Sequence, residues 1–337
     1  MKPRAMQRIL LAGLTLMALS SPSTAQNPNI GTAGAKFLRI PVGARASGMA
    51  GAVAACIDDP SAVFWNPAGI VGVPSTGLMF SHTPWWATTK LNSAALVTSF
   101  QDVGSIGVSV TILTMDKMEV TTELEPEGTG QMFDAGDMMI GFTYARRLTE
   151  DFSVGITAKY VNQRIWNESA NGWAIDIGTQ YRVGFEDLTL AMSMLNFGPD
   201  MSYDGRDLEI KYDGNANIPE NRLTPARLAA EEYPLPLSFQ IGLSMTAFST
   251  DGLSLLIAAD VLHPNDNVER VHLGGELAIL ENFHLRGGYR FGYDQESATF
   301  GAGAAVPVGS WNLAFDYGYA VYDLLPDVSR FSLSIMF

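Results

Sequence analysis

The chain has 337 residues, of which 47% are hydrophobic and only 17% charged, with a net charge of −14. A soluble domain carries about 25% charged residues, so an ordinary hydrated surface is disfavoured, and the acidic balance excludes the basic stripe that a nucleic-acid partner requires. The single cysteine, Cys56, excludes an intramolecular disulfide.

Residues 1–25 have the layout of a cleavable secretory signal. Lys2, Arg4 and Arg8 form a basic start, Ile9–Leu19 an apolar stretch, and Ser23-Thr24-Ala25 supplies small residues before Gln26. The apolar stretch is too short to span a membrane as a helix. Cleavage after Ala25 would remove those three bases and take the net charge from −14 to −17. Cys56 lies too far along to be a lipid anchor, and its neighbours Ala54, Ala55 and Ile57 predict a buried, unreactive thiol.

Residues 26–75 are rich in Gly and Ala and lack alternation. They contain two helix starts, Asp59-Pro60 and Asn66-Pro67, each pairing a capping side chain with a proline at the first helical position. A compact plug of short helices is expected here, at the periplasmic end of whatever follows.

From Thr76 onward, segments of about ten residues alternate apolar with small or polar side chains. Fourteen strands are predicted, near 76–83, 91–101, 105–115, 134–147, 152–164, 171–183, 187–198, 235–248, 252–262, 269–279, 282–293, 297–306, 310–321 and 328–337. A soluble sandwich also alternates, so periodicity alone does not decide. Length, girdles and loop parity do. Segments of 10–13 residues suit a tilted bilayer crossing, and Trp173, Tyr181, Tyr289, Tyr293, Trp311 and Tyr319 fall near strand ends, as interfacial girdles require. Short turns follow even-numbered strands, and mostly longer loops, including 116–133 and 199–234, follow odd ones. That asymmetry separates periplasmic turns from outer loops. The fold class expected is all-β membrane, an antiparallel outer-membrane β-barrel of about 14 strands with a small N-terminal plug of short helices. The domains are 1–25 signal peptide, 26–75 plug and 76–337 barrel, and the predicted location is the bacterial outer membrane, in contact with its lipid.

Fourteen strands enclose more space than their own side chains fill. The lumen-facing charges, Lys159, Asp176, Arg182, Asp260, Arg270, Glu276, Arg286, Arg290 and Asp316, alternate in sign between neighbouring strands, which predicts pairing rather than a conduction filter. No catalytic, cofactor or nucleotide motif is present, and His82, His263, His272 and His284 lack metal-ligand spacing. No enzyme is expected. Trp85 and Trp86, in the first outer loop, read as an aromatic belt or as a partner-facing surface. Tyr203 and Tyr212 belong to the longest loop and are further partner-facing candidates. On the last strand Phe331, Leu333, Ile335 and Phe337 share one face, and such a terminal aromatic strand is similar to the signal read by the barrel-assembly machinery.

The N-terminal block carries a resemblance. Gly34-Ala35-Lys36-Phe37-Leu38, Gly43–Gly51, Asp58-Asp59-Pro60 and Asn66-Pro67-Ala68-Gly69, with the later Pro234-Leu235-Pro236-Leu237, resemble the PorV/PorQ family. That family is related to the FadL-type transporters, which share the Asn-Pro-Ala element in their plug. The resemblance implies a fourteen-stranded barrel with an N-terminal hatch that contains Asn66, Pro67, Ala68 and Gly69. It also implies a role in type IX secretion, with a large translocon and cargo proteins bearing C-terminal sorting domains as partners. The FadL relationship leaves open a transporter of hydrophobic small molecules.

Overall fold

The alternating segments form the wall of a closed barrel in the computed structural model, which describes residues 29–185, 187–212 and 224–337. The signal-peptide reading of residues 1–25 lies outside the described residues. Fourteen long strands are present among those described: β1 (Thr76–Pro84), β2 (Lys90–Phe100), β3 (Gly104–Thr114), β4 (Ala135–Arg147), β5 (Phe152–Ile165), β6 (Glu168–Arg182), β7 (Thr189–Phe197), β8 (Ser238–Thr250), β9 (Leu253–Pro264), β10 (Arg270–Ile279), β11 (Phe283–Phe291), β12 (Glu296–Val308), β13 (Trp311–Tyr322) and β14 (Val328–Met336). Each pairs antiparallel with its sequence neighbour. The ring closes where β1 meets β14, from Gly77 opposite Met336 to His82 opposite Phe331. Closure leaves no unpaired edge, which is what allows a sheet to cross lipid.

One face of each strand points outward and stays apolar. Phe80, Phe142, Ile156, Ile177, Leu243, Leu285, Phe300 and Phe315 are all more than 40% exposed, and a soluble protein would not leave so continuous an apolar band in water. At the closing seam Phe337 exchanges both backbone hydrogen bonds with Thr76, at 2.9 and 3.1 Å, and its ring lies against Trp311. Phe331, Leu333 and Phe337 face outward.

Loop parity holds for the two longest loops but not throughout, since 183–188 after an even strand exceeds 292–295 after an odd one. The turns after even strands are short, whereas 115–134 and 198–237 are long. Between β5 and β6, where a longer loop is predicted, only residues 166–167 intervene, because the two strands run on to 14 and 15 residues. Trp166 takes a positive φ of 51° in that tight turn, and the two-residue strand Asp204–Gly205 pairs with β6 above the wall.

The core lies in the lumen. Residues 29–75 fill it with one short helix, α1 (Ala44–Gly48), and three 3-10 segments, Lys36–Arg39, Pro60–Phe64 and Pro67–Gly72. Both predicted starts cap helices: Asp59 accepts from the Ser61 amide and Asn66 from the Ala68 amide, with Pro60 and Pro67 at the first position. Both helices are 3-10 rather than α. Met49, Val53, Ile57, Val63, Ile70 and Val73 are at most 1% exposed and pack with Ala95, Val97, Ala145 and Ala258 of the wall. Burying such a side chain contributes about 1.5–3 kcal/mol.

An even strand number places the start of β1 and Phe337 at one rim, that of the short turns. The chain ahead of β1, however, has crossed the lumen. The Gly31 amide donates to the Asp266 carbonyl in the loop after β9, and the Gly34 amide to the Pro234 carbonyl, so Asn29–Gly31 lies at the rim of long loops. The segment therefore spans the lumen and is not confined to the short-turn end.

Candidate functional site: the plugged lumen and its outer chamber

Small side chains on the lumen face let the inner segment approach the wall backbone to backbone. A Cβ at Gly274 would lie 2.5 Å from the Met49 carbonyl oxygen, at Gly288 2.6 Å from the Met49 carbonyl carbon, and at Gly318 2.8 Å from the Ala44 carbonyl oxygen. Hydrogen bonds pin the contact. Buried Asp260 on β9 accepts from the Val53 and Ala54 amides and from the Gln240 side chain. Arg290 Nε donates to the Ala50 carbonyl, Thr299 to the Gly48 carbonyl, and the Ala44 amide to Ser332 Oγ. Asn66 is fully buried; its Nδ2 donates to the Ala54 carbonyl at 2.8 Å and to the Thr179 carbonyl on β6 at 3.1 Å. Pro67 lies against Gly155 and Gly178, Ala68 is fully buried, and a Cβ at Gly69 would strike the Ile57 carbonyl.

Six of the nine charges predicted for the lumen form ion pairs. Lys159 meets Asp176 at 2.6 Å, and Arg286 bridges Glu276 at 2.5 Å and Asp316 at 2.6 Å. Arg290 meets Glu296 at 2.5 Å. Arg45 on α1 reaches Asp58, Asp59 and Glu276, joining the inner segment to the wall. Its burial is outweighed by those carboxylates, which hold the guanidinium above its usual range. Burial raises the Cys56 thiol, whose Sγ lies near the Ala52 and Val53 carbonyls. Arg182, predicted to face the lumen, is exposed instead, at the end of β6 beside the short turn.

On the long-loop side the inner segment leaves a chamber of about 830 Å³. Phe37, Phe64 and Trp65 contribute apolar lining from the inner segment, while Leu113, Met139, Leu195 and Leu262 do so from the wall. Trp85 and Trp86 are not in a belt; they fold inward and line the chamber. Their rings are 4.4 Å apart, Trp86 packs edge-on against Tyr322 at 4.8 Å, and its Nε1 donates to the Pro326 carbonyl. Tyr293, predicted for the outer girdle, also points inward: β11 ends at Phe291, and Gly292 with φ 81° turns the chain. Its hydroxyl meets His272 Nε2 at 2.9 Å.

Tyr203 packs on Tyr233 with ring centres 5.9 Å apart. Both belong to a cluster with Phe37, Met201 and Leu235 that closes the long loop onto the inner segment. Tyr212 is 56% exposed, at the end of a hairpin whose strands are Glu209–Tyr212 and Thr224–Arg227. The structure thus brings Trp85, Trp86 and Tyr203 toward the mouth of the lumen and leaves Tyr212 outside it. Lys36, Arg39 and Asp266 were not singled out from the sequence. Two bases in an otherwise small and apolar block were the available signal.

Comparison with solved structures returns several transport barrels. The Ralstonia pickettii toluene transporter TbuX matches with a TM-score of 0.54 at 13% identity, covering 87% of this chain and 96% of that one. A Pseudomonas aeruginosa FadL homologue matches with a TM-score of 0.53 at 12% identity, covering 88% and 98%. The monoaromatic hydrocarbon channel CymD matches with a TM-score of 0.53 at 15% identity, covering 88% and 96%. At such identities these likenesses establish the fold alone. No curated protein matches the sequence. A sequence profile described as "Type IX secretion system protein PorV" matches residues 23–220, more than half of the chain. This closed outer-membrane barrel with a filled lumen belongs to the PorV family of type IX secretion proteins.

Proposed function

We propose that the protein is a non-enzymatic docking component of type IX secretion, binding the translocon, sorting-domain cargo or both through its outer loops. The observation that carries this reading is the filled lumen. Residues 29–75 are tied to at least five wall strands by buried hydrogen bonds and ion pairs, which favours a platform over a pore. In this reading residues 1–25 are a cleaved export signal, 26–75 the plug with Asn66-Pro67-Ala68-Gly69 as its anchor, and 76–337 the membrane barrel. Exposed Tyr212 and the hairpin that carries it are the first candidates for partner contact, followed by Trp85, Trp86 and Tyr203. Phe331, Leu333, Ile335 and Phe337 serve as the assembly signal. Affinity purification of the tagged chain from native outer membrane is expected to recover a translocon or sorting-domain proteins; repeated recovery of the barrel alone would refute the reading.

A second reading, a transporter of hydrophobic small molecules, is favoured by the chamber and by the fold shared with a toluene transporter. Proteoliposomes carrying the protein would then take up a labelled fatty acid faster than empty vesicles, and equal rates would reject it.

A further inference from the structure

The chamber wall has an unexpected charge. The chain is acidic overall, at −14, yet Lys36, Arg39 and Arg270 line the same part of the chamber. They share a single paired carboxylate, Asp266, which is 1% exposed and touches both Lys36 and Arg39. Among the described residues no carboxylate pairs with Arg270; its guanidinium lies over the Tyr293 ring at 4.0 Å. The Nε atoms of Arg39 and Arg270 are buried without an acceptor. Arg290, 5.5 Å from the centre of the same ring, is already matched by Glu296. Asp294 lies exposed at the rim, and Asp137 accepts from the neutral Gln163 side chain and pairs with no cation among the described residues. Two positive charges are therefore left unmatched in a partly enclosed space, where attraction for an anion exceeds that at an open surface. Burial and the neighbouring Arg39 and Arg270 charges bring Lys36 down to about 8, as expected of cations lacking enough counter-charge.

We propose that the chamber binds a phosphate-class dianion between Lys36, Arg39 and Arg270, beside the Tyr293 ring. A carboxylate would neutralise one of the two surplus charges. A phosphate or phosphomonoester neutralises both, and its several oxygens meet the Arg39 Nε and the guanidinium donors of Arg270, the other Arg39 nitrogens being held by Asp266, Leu237 and Asn265. Stacking on Tyr293 holds the Arg270 fork in position before the anion arrives, which lowers the cost of binding. The site goes beyond the docking reading and stands independently of it, since it rests on the chamber wall and not on the loops.

Calorimetry on the detergent-purified full chain tests this with three probes: inorganic phosphate, acetate at matched ionic strength, and dodecyl phosphate. Saturable binding of phosphate and not of acetate is expected. R270Q should weaken it by about tenfold or more, the loss expected for a charge-assisted hydrogen bond, and half-exposed Lys36 offers a second variant, K36Q, with a smaller loss. K90Q, at a surface ion pair with Asp116, should bind as the parent does. Folding of each variant is checked by the shift in gel mobility on boiling. Tighter binding of dodecyl phosphate would assign the group to a lipid-like headgroup, and equal binding to free phosphate. No saturable phosphate binding, acetate binding as tight as phosphate, or folded R270Q and K36Q that bind like the parent would overturn the proposal.

Discussion

Asn66 shows what one side chain does for the inner segment. It caps the Pro67–Gly72 turn, holds the Ala54 carbonyl within the segment and reaches the Thr179 carbonyl on the wall, with no exposed surface. Replacing it with Ala removes one of two side-chain donors to the Ala54 carbonyl, the side-chain donor to the Thr179 carbonyl and the acceptor of the buried Ala68 amide, and leaving that amide unsatisfied alone costs roughly 1–3 kcal/mol. N66A is therefore expected to loosen residues 54–68 while the barrel stays folded, read as faster amide hydrogen exchange there; unchanged protection would contradict this role. Lys36 gives a second residue-scale prediction. Its carboxylate partner Asp266 is shared with Arg39, and burial with two nearby guanidinium groups lowers it to about 8. Between pH 7 and 9 it should lose its proton, while an ordinary lysine, titrating near about 10.4, stays charged. The rate at which an amine-acylating reagent modifies half-exposed Lys36 should thus rise and level off between pH 7 and 9, with mass spectrometry as the readout; a rate still climbing at pH 10 would contradict the shift. The caps at Asp59 and Asn66 were legible in the sequence because a cap is local. The Thr179 contact, 113 positions away, was not.

At the scale of elements, period-two alternation located the strands to within a few residues, because one lipid-facing side chain in two must be apolar. It failed where alternation stops. Trp85, Trp86 and Tyr293 lie at or beyond strand ends, where turn geometry and not pleat decides the direction of a side chain, and all three turn into the chamber. The inner segment had no period to read, so its passage across the lumen was invisible in the sequence. The abundance of Gly and Ala on the inner faces was legible, but its cause, direct contact between wall and plug backbones, required the structure. Adjacent glycines on β11 isolate that cause. A Cβ at Gly287 would have nothing within 4 Å, whereas one at Gly288 meets Met49 and Ala50. G288V should cost about 1–3 kcal/mol by overpacking and displace the segment, raising ion conductance in planar bilayers, while G287V should behave as the parent. Equal conductance in the two variants would show that the wall glycines do not seat the plug.

For the whole molecule, closure of the sheet and filling of the lumen are separate achievements. The apolar exterior, the paired seam at Thr76 and Phe337, and the absence of a free edge suit the membrane. The interior, with its matched ion pairs and buried core, resembles that of a soluble protein turned inside a cylinder. The barrel class was readable from strand length and loop parity, and the family from the N-terminal block that later proved to be the lumen filling. Which loop would meet a partner was not readable, because the arrangement of the loops over the barrel mouth depends on contacts far apart in the sequence, such as Met201 with Tyr233.

If the outer loops bind partners over a filled barrel, removing the exposed strand pair of the longest loop should separate binding from assembly. The hairpin formed by Glu209–Tyr212 and Thr224–Arg227 would be replaced with a short Gly-Ser linker in the native cell, and delivery of sorting-domain cargo to the surface followed. The altered barrel is expected to reach the outer membrane and keep its heat-shifted gel mobility, while cargo accumulates behind it. Cargo delivery at the parental level by a barrel lacking this hairpin would contradict docking through that loop.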